Sequence, residues 1–321
     1  MSISNPVTKL ILGLSLGITS WTASADEGGV GFWLPGSFGS FAATPSDPGW
    51  TLGATYYHSS ASLGADEASN RGGRVTVGVD ARADLLFLAP TYTFASPVAG
   101  GQAAISLLAA PGRERASVQA TLSGPRGFAI SGNEKDSVTG FSDIFAQGTL
   151  RWNQGVHNYM VYAMSALPVG SYNTNRLVNL GLNHWAIDAG GGYTYLDPKA
   201  GHEFSAVFGF TYNFENHDTN YKNGVDSHLD WAASQFLSEK VHVGLVGYFF
   251  QQLTGDSGAG ATLGGYKSRV AAIGPQLGYF FKVDERKWYA NAKGYYEFSA
   301  QNRAAGWNIW LTLAIPLGSG K

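Results

Sequence analysis

Residues 202–214 read HEFSAVFGFTYNF, and aromatic side chains stand at every second position over most of this stretch. Phe204 and Phe210 share one parity, whereas Glu203 and Thr211 share the other. A period of two places successive side chains on opposite faces of a β-strand. The stretch is therefore predicted to form a strand with one apolar, aromatic face and one polar face.

The same alternation recurs along most of the chain after residue 49. No segment combines a helical period of 3.6 residues with capping residues at its ends, so we expect very little helix. The predicted strands lie near residues 50–61, 74–94, 102–124, 141–152, 157–168, 183–196, 202–214, 225–238, 241–254, 269–282, 287–299 and 306–317.

The composition of this 321-residue chain excludes several classes of protein. Charged residues make up only 14%, against about 25% in typical soluble domains. An apolar fraction of 44% and a net charge of −2 exclude a disordered chain and give no basic surface for nucleic acid. The lack of cysteine excludes a disulfide scaffold and thiolate metal sites. A mean hydropathy of −0.07 fits strands whose two faces differ.

The connections between the predicted strands alternate in length. The short turns are residues 153–156, 197–201, 238–240 and 283–286, and the longer polar loops are residues 125–140, 169–182, 215–224 and 255–268. This order is typical of an all-β, up-and-down antiparallel transmembrane β-barrel, whose closure pairs every backbone N–H and C=O within lipid. Aromatic residues near strand ends fit the girdles at the two membrane interfaces. A secreted β-sandwich with an aromatic core is the alternative.

The number of strands depends on one interruption. Residues 111–115, Pro-Gly-Arg-Glu-Arg, break the alternation of the predicted strand 102–124. Bacterial single-chain barrels use even strand numbers, so we treat 102–124 as one bulged or protruding strand. The prediction is about 12 strands, with 14 as the alternative.

The N-terminus is predicted to be a signal peptide over residues 1–25, with an apolar core at residues 10–18 and the small-residue sequence Ala-Ser-Ala at 23–25. A membrane anchor is disfavoured because the apolar run is shorter than the ~20 residues that a spanning helix needs. Residues 26–49 form an N-terminal periplasmic or plug segment, and residues 50–321 form the barrel. The segment either folds into the lumen or lies against the rim. Its candidate plug residues are Phe32, Trp33, Leu34 and Phe38.

The polar parity of the strands is predicted to line the lumen. The candidate lumen-lining residues are Asp143, Arg151, His184, Asp188, Glu203, Asp226, His228, Asp230, Lys293 and Glu297. Asp226, His228 and Asp230 share one strand face. They are interpreted either as a contact site for a solute or ion or as part of a solvated lumen wall, and the second interpretation is favoured. Alternate residues of a strand lie ~6.5 Å apart, which is awkward for one metal ion, so no metal or cofactor is predicted.

His58 and Ser60, which share a face near a strand end, are the candidates for a catalytic role. Outer-membrane phospholipases use serine and histidine near the membrane surface. The local sequence supplies no orienting partner for the histidine, and the chain is therefore predicted not to be an enzyme.

Several blocks of sequence resemble one family of outer-membrane proteins. The blocks are Gly140–Asp143, Leu167–Tyr172, Asn179–Trp185, Thr194–Pro198, Gly201–Ser205, Glu215–Tyr221 and Gly244–Gly260, the last reading GLVGYFFQQLTGDSGAG. In this order they resemble the family named for the MetA pathway of phenol degradation, over roughly residues 30–317. The chain departs from barrels in general by ending Ile315-Pro-Leu-Gly-Ser-Gly-Lys321 without a terminal aromatic residue.

The resemblance implies a β-barrel of the bacterial outer membrane that transports small hydrophobic or aromatic compounds, distantly similar to fatty-acid and hydrocarbon channels. It implies no catalytic or ligand residues. The expected partners are outer-membrane lipids and such solutes, without nucleic acid, and the oligomeric state stays open. A structural or adhesive surface barrel and a lipid-modifying enzyme are the two alternatives.

Overall fold

The computed structural model describes residues 31–69, 73–123, 129–262 and 264–318. The predicted signal peptide lies outside the described residues. The strands are β1 (Gly49–Ser69), β2 (Gly73–Thr93), β3 (Gln102–Leu108), β4 (Pro111–Ser123), β5 (Ala129–Phe141), β6 (Ile144–Gln154), β7 (His157–Leu167), β8 (Ala186–Asp197), β9 (His202–Asn213), β10 (Asp226–Phe236), β11 (Val241–Gln252), β12 (Arg269–Val283), β13 (Arg286–Gln301) and β14 (Ala305–Gly318). Within the described ranges no helix has the length and apolar character needed to cross a membrane.

Twelve of these strands close into an antiparallel barrel. The order runs β1, β2, β3 and then β6 through β14, and β14 pairs with β1 to complete the ring. The seam pairs Leu52 with Ile315 and Tyr56 with Leu311. The prediction of a twelve-stranded up-and-down barrel is therefore confirmed, and the two additional strands lie outside the ring.

The predicted single strand 102–124 is wrong in detail, because the chain changes partner at Ala109 and Ala110. β3 pairs with β6 and with only the last residues of β2, whereas β4 pairs with the earlier part of β2, residues 74–85. Pro111 is the first residue of β4, a position that tolerates the missing amide proton of proline. The long β2 thus serves as the template for two successive strands.

The predicted polar loop 125–140 is also wrong over most of its length. Residues 129–141 form β5, which pairs with β4 from Pro111↔Phe141 to Ser123↔Ala129. Its sequence lacks apolar alternation because the β4–β5 hairpin continues the wall beyond the apolar band of the barrel. A strand outside lipid has no need for a lipid-facing parity.

The barrel has the reverse of a soluble protein's burial pattern. Phe204 and Phe210 point outward and are 42% and 47% exposed, while Glu203 and Thr211 point inward and are buried. β9 alternates in this way along nearly its full length. The outward face is therefore the apolar face that contacts lipid, as the parity of the sequence predicts.

The two ends of the barrel differ as expected. The turn end holds the short connections 155–156, 198–201, 237–240 and 284–285, together with the start of β1 and the end of β14. The loop end holds the connections 168–185, 214–225 and 253–268. In outer-membrane barrels short turns face the periplasm and long loops face the exterior, which orients this molecule.

Candidate functional site

Residues 31–48, here the N-terminal segment, lie inside the ring and run to the start of β1. Their polar contacts reach inward-facing side chains on β6, β8, β9, β10, β12 and β13. Phe32 and Trp33 are buried. Leu34 and Phe38 are partly buried against the same cluster. The segment therefore occupies space between facing walls of the barrel.

Two buried side chains of opposite charge hold one turn of the segment. Asp230 on β10 accepts hydrogen bonds from the backbone N–H of Gly36 at 2.9 Å and of Phe38 at 3.0 Å. Lys293 on β13 donates to the carbonyl oxygens of the same two residues at 2.7 and 3.2 Å. Both side chains are nearly inaccessible to solvent. Each charge is thus satisfied by backbone dipoles of the segment.

Gly36 has the backbone conformation that this turn requires. Its φ angle is +89°, in the left-handed region that side chains other than glycine rarely adopt. A Cβ atom at this position would lie 3.1 Å from the ring of Tyr295. The glycine lets the backbone approach the wall closely enough to bond with Asp230 and Lys293.

Polar contacts continue toward the start of β1. Glu203 accepts from the Ser40 hydroxyl at 2.8 Å and from the backbone N–H of Phe41 at 3.1 Å. Arg151 donates through Nε to the carbonyl oxygen of Ala42 at 3.1 Å. Gln276 also donates to the Ser40 hydroxyl at 2.9 Å, which ties β12 to the same part of the segment.

An aromatic contact anchors the other part of the segment. The Trp33 ring stacks on the imidazole of His228 with centroids 3.6 Å apart and planes within 10°. His228 Nε2 lies 3.0 Å from Oδ2 of Asp188, and the other carboxylate oxygen, Oδ1, accepts from the Tyr162 hydroxyl at 2.6 Å. Three strands thereby position one flat surface under the indole ring.

Other predicted lumen residues serve the loop end instead. Asp143 lies between β5 and β6 and accepts hydrogen bonds from the backbone N–H of Gly170 and Leu182, at 2.8 and 2.7 Å. His184 lies in the connection between β7 and β8, and its Nδ1 contacts the carbonyl oxygen of Trp185. These two side chains fix the connection between β7 and β8.

Asp226 and Glu297 have partners on other strands and turns of the barrel. Asp226 accepts from the side-chain amide of Asn213 at 3.0 Å. Glu297 accepts from the Tyr248 hydroxyl at 2.7 Å and from the backbone N–H of Gly306 at 2.9 Å. Asp226, His228 and Asp230 thus face three different partners. Across the described ranges, no group of three carboxylate or imidazole side chains has the arrangement of a metal site.

Asp256 ties two extracellular loops together. It accepts from the Gly224 backbone N–H at 3.0 Å, from the Gln252 amide at 2.6 Å and from the Tyr221 hydroxyl at 2.6 Å. Burial raises the pKa of this carboxyl group, although these hydrogen bonds oppose the shift. The connections β9–β10 and β11–β12 therefore form a joined layer at the loop end.

Sequence reasoning missed Tyr162, which bridges Asp188 and the ring of Phe38. β7 reads HNYMVYAMSAL, with apolar residues on both parities, so the inward parity cannot be read locally. It also missed the carboxylate beside His58. Asp84 lies 2.7 Å from His58 Nδ1 but comes from the neighbouring strand β2, where local sequence gives no sign of it.

Comparisons with known proteins agree with this architecture. Residues 65–313 match the sequence model of the family described as the MetA-pathway of phenol degradation. An outer membrane channel from Pseudomonas putida F1 superimposes with a TM-score of 0.61 at 13% identity, covering 85% of this chain and 97% of that one. A FadL homologue from Pseudomonas aeruginosa gives a TM-score of 0.43 at 10% identity, covering 94% and 100%. Among curated proteins, no sequence matches.

Proposed function

This chain belongs to the MetA-pathway of phenol degradation family, and on that premise we propose that it admits small hydrophobic or aromatic compounds by passive diffusion. The protein is a β-barrel of the bacterial outer membrane. Support for transport comes from the solved channel of Pseudomonas putida F1, whose fold it shares. The solute class rests on the family description and on the aromatic contacts inside the ring.

The observation that carries this proposal is the N-terminal segment inside the barrel. The segment is held by hydrogen bonds, one stacked ring pair and buried charges rather than by covalent bonds. We propose that it acts as a plug, whose movement opens a path past Trp33 and His228. An indole stacked on an imidazole is a contact that a flat aromatic solute can replace with little change in buried surface.

The proposal is tested by deleting residues 28–45 and comparing the protein with wild type in planar bilayers. Ion conductance is expected to rise when the segment is removed. Liposomes carrying the wild-type protein are expected to take up a phenol faster than empty liposomes do, and to exclude a hexose. Equal conductance of the two proteins would contradict the proposal that the segment is a plug. Uptake equal to that of empty liposomes would contradict the proposal that the barrel is a channel.

A variant trimmed within the loop 255–268 is the matched control. This loop belongs to the joined layer at the loop end and not to the segment. Conductance after trimming is expected to stay nearer to wild type than it does after deletion of 28–45. Loss of cell-surface binding with normal uptake would favour an adhesive role for the loops.

A further inference from the structure

The outward face of β2 changes character at one level. Leu86 and Leu88 point outward and are 42% and 39% exposed, as expected for contact with lipid. The next outward positions toward the loop end are Asp84 and Arg82, which are charged. Because the loop end faces the exterior, this level coincides with the headgroups of the outer leaflet.

Arginine side chains are crowded at this level. Arg82 on β2 is directly opposite Arg115 on β4, and Arg113 is opposite Asp84. All three arginines are exposed on the outward face. Like charges directly opposite one another destabilise an antiparallel pair, so the arrangement is unfavourable unless an anion joins it.

Two carboxylates lie on this face, Asp84 and the exposed Asp80, and Asp84 is already shared. Asp84 accepts from the Tyr56 hydroxyl at 2.8 Å and lies 2.7 Å from His58 Nδ1. Its distance to the Arg115 guanidinium is 3.7 Å, longer than a hydrogen bond. Two carboxylates therefore face three guanidinium groups, and the outward face keeps a local positive charge.

We propose that Arg82, Arg113 and Arg115 bind the phosphate groups of a phosphorylated glycolipid of the lipid A type in the outer leaflet. Guanidinium groups bind phosphate through two parallel N–H···O bonds, and three of them can hold a headgroup with more than one phosphate. The apolar residues directly below offer a surface for its acyl chains. This site is independent of the transport proposal, since it lies on the opposite face of the wall from the lumen.

The test is a titration of the full-length protein in detergent with bisphosphorylated lipid A, read by native mass spectrometry. The variant R82Q/R113Q/R115Q is expected to bind about tenfold more weakly or worse, as the loss of several charge-assisted hydrogen bonds implies. The matched control is K282Q/K287Q, which removes a directly opposed pair of exposed lysines at the turn end. That variant is expected to bind as the wild type does.

Two further ligands distinguish binding of the phosphorylated glycolipid from binding of its acyl chains alone or of phosphate alone. Dephosphorylated lipid A is expected to bind the wild type as weakly as lipid A binds the triple variant. Millimolar inorganic phosphate is expected not to displace lipid A. Unchanged binding by the triple variant, equal binding of the dephosphorylated lipid, or displacement by phosphate alone would each overturn the proposal.

Folding is checked by the heat-dependent shift of the barrel in gel electrophoresis. If the triple variant does not fold, R82Q and R115Q are tested singly, and each is expected to weaken lipid A binding by about threefold. R82K/R113K/R115K keeps the charge but loses the planar fork, so its affinity is expected to fall between wild type and the glutamine variant. Single variants that bind as tightly as wild type would contradict the site.

Discussion

The two sides of the barrel place charged side chains on opposite faces. The tall wall consists of β1, β2, β4 and β5, and each of β1 and β2 runs for 21 residues. The short wall consists of β7 to β13, and β7 and β10 have only 11 residues each. The short wall carries its charges inward, where Glu203, Asp230 and Lys293 contact the N-terminal segment. The tall wall carries arginines outward at the level of the headgroups and buries Tyr57, Leu85, Val138 and the carboxylate of Glu114 inward.

The difference shows that the medium outside the wall, lipid or water, determines which face of a strand is polar. On the short wall the outer face meets lipid, so Asp230 and Lys293 point inward and find partners in the segment. On β2 the outward parity is apolar at Leu88 and charged at Arg82, within a single strand. The alternation persists along β2, but its outward face changes from apolar to charged where the strand leaves the apolar part of the membrane.

The largest effect is expected from Asp230→Ala on the short wall. The substitution leaves two backbone amides without an acceptor and removes a negative charge that faces the same turn as Lys293. Breaking such a buried arrangement typically costs about 3–5 kcal/mol. We expect a large rise in channel conductance in planar bilayers. The control is Glu114→Gln, a buried carboxylate of the tall wall, and an equal rise there would contradict the contrast between the walls.

A somewhat smaller effect is expected from Trp33→Ala. Removing a buried indole costs about 3 kcal/mol or more, and here this loss weakens the free energy with which the segment is held inside the barrel. The chain has no cysteine, so a single Ala42→Cys substitution reports on release of the segment through its rate of maleimide labelling. Labelling is expected to accelerate with Trp33→Ala and to change less with Leu34→Ala, which removes a partly buried side chain.

The tall wall is expected to respond to pH. Burial raises the pKa of Glu114 in β4 to about 7, above its ordinary value of 4.5. A raised carboxyl pKa contributes stability below pH 4.5 that is lost as the pH rises through 7, about 3 kcal/mol. Proteolysis of the β4–β5 hairpin should therefore be faster at pH 8 than at pH 5. Glu114→Gln, measured with the same protease at each pH, should abolish the difference.

The smallest effect is expected from Gly36→Ala. An alanine at a φ of +89° costs about 1–2 kcal/mol, and its Cβ would press on Tyr295. Labelling of the Ala42→Cys reporter should increase modestly. Gly148→Ala in β6 is the control, because its φ angle is not in the left-handed region and its Cβ would meet no atom within 4 Å. Equal labelling of the two variants would show that the turn is not strained.

Sequence parity was sufficient for the barrel, whereas its assignment of residues such as Glu203 and Asp188 to the lumen stays a prediction. It was insufficient for β5, because Ala129–Phe141 lies outside lipid and has no apolar parity to reveal it. Asp143 has the polar parity of a lumen residue, yet it lies between two strands and holds a loop. Parity predicts a face only where a strand runs within the membrane.

The partners of the N-terminal segment lie beyond any local pattern. Gly36 meets Asp230 across 194 positions of sequence, and it meets Lys293 across 257. The apolar character of Phe32 and Trp33 suggests burial, but no spacing in the sequence relates them to β10 or β13. The plug and lumen assignments thus remain predictions that the conductance and labelling measurements test.

These long separations have a consequence for the order of assembly. The segment precedes β1, whereas the side chains that hold its turn belong to β10 and β13, nine and twelve strands further along the chain. The segment has no docking surface until those strands have paired, and the ring closes by joining β1 to β14. Non-local contacts of this kind slow folding. We therefore expect enclosure of the segment to belong to the final stage of barrel formation, when the first and last strands meet.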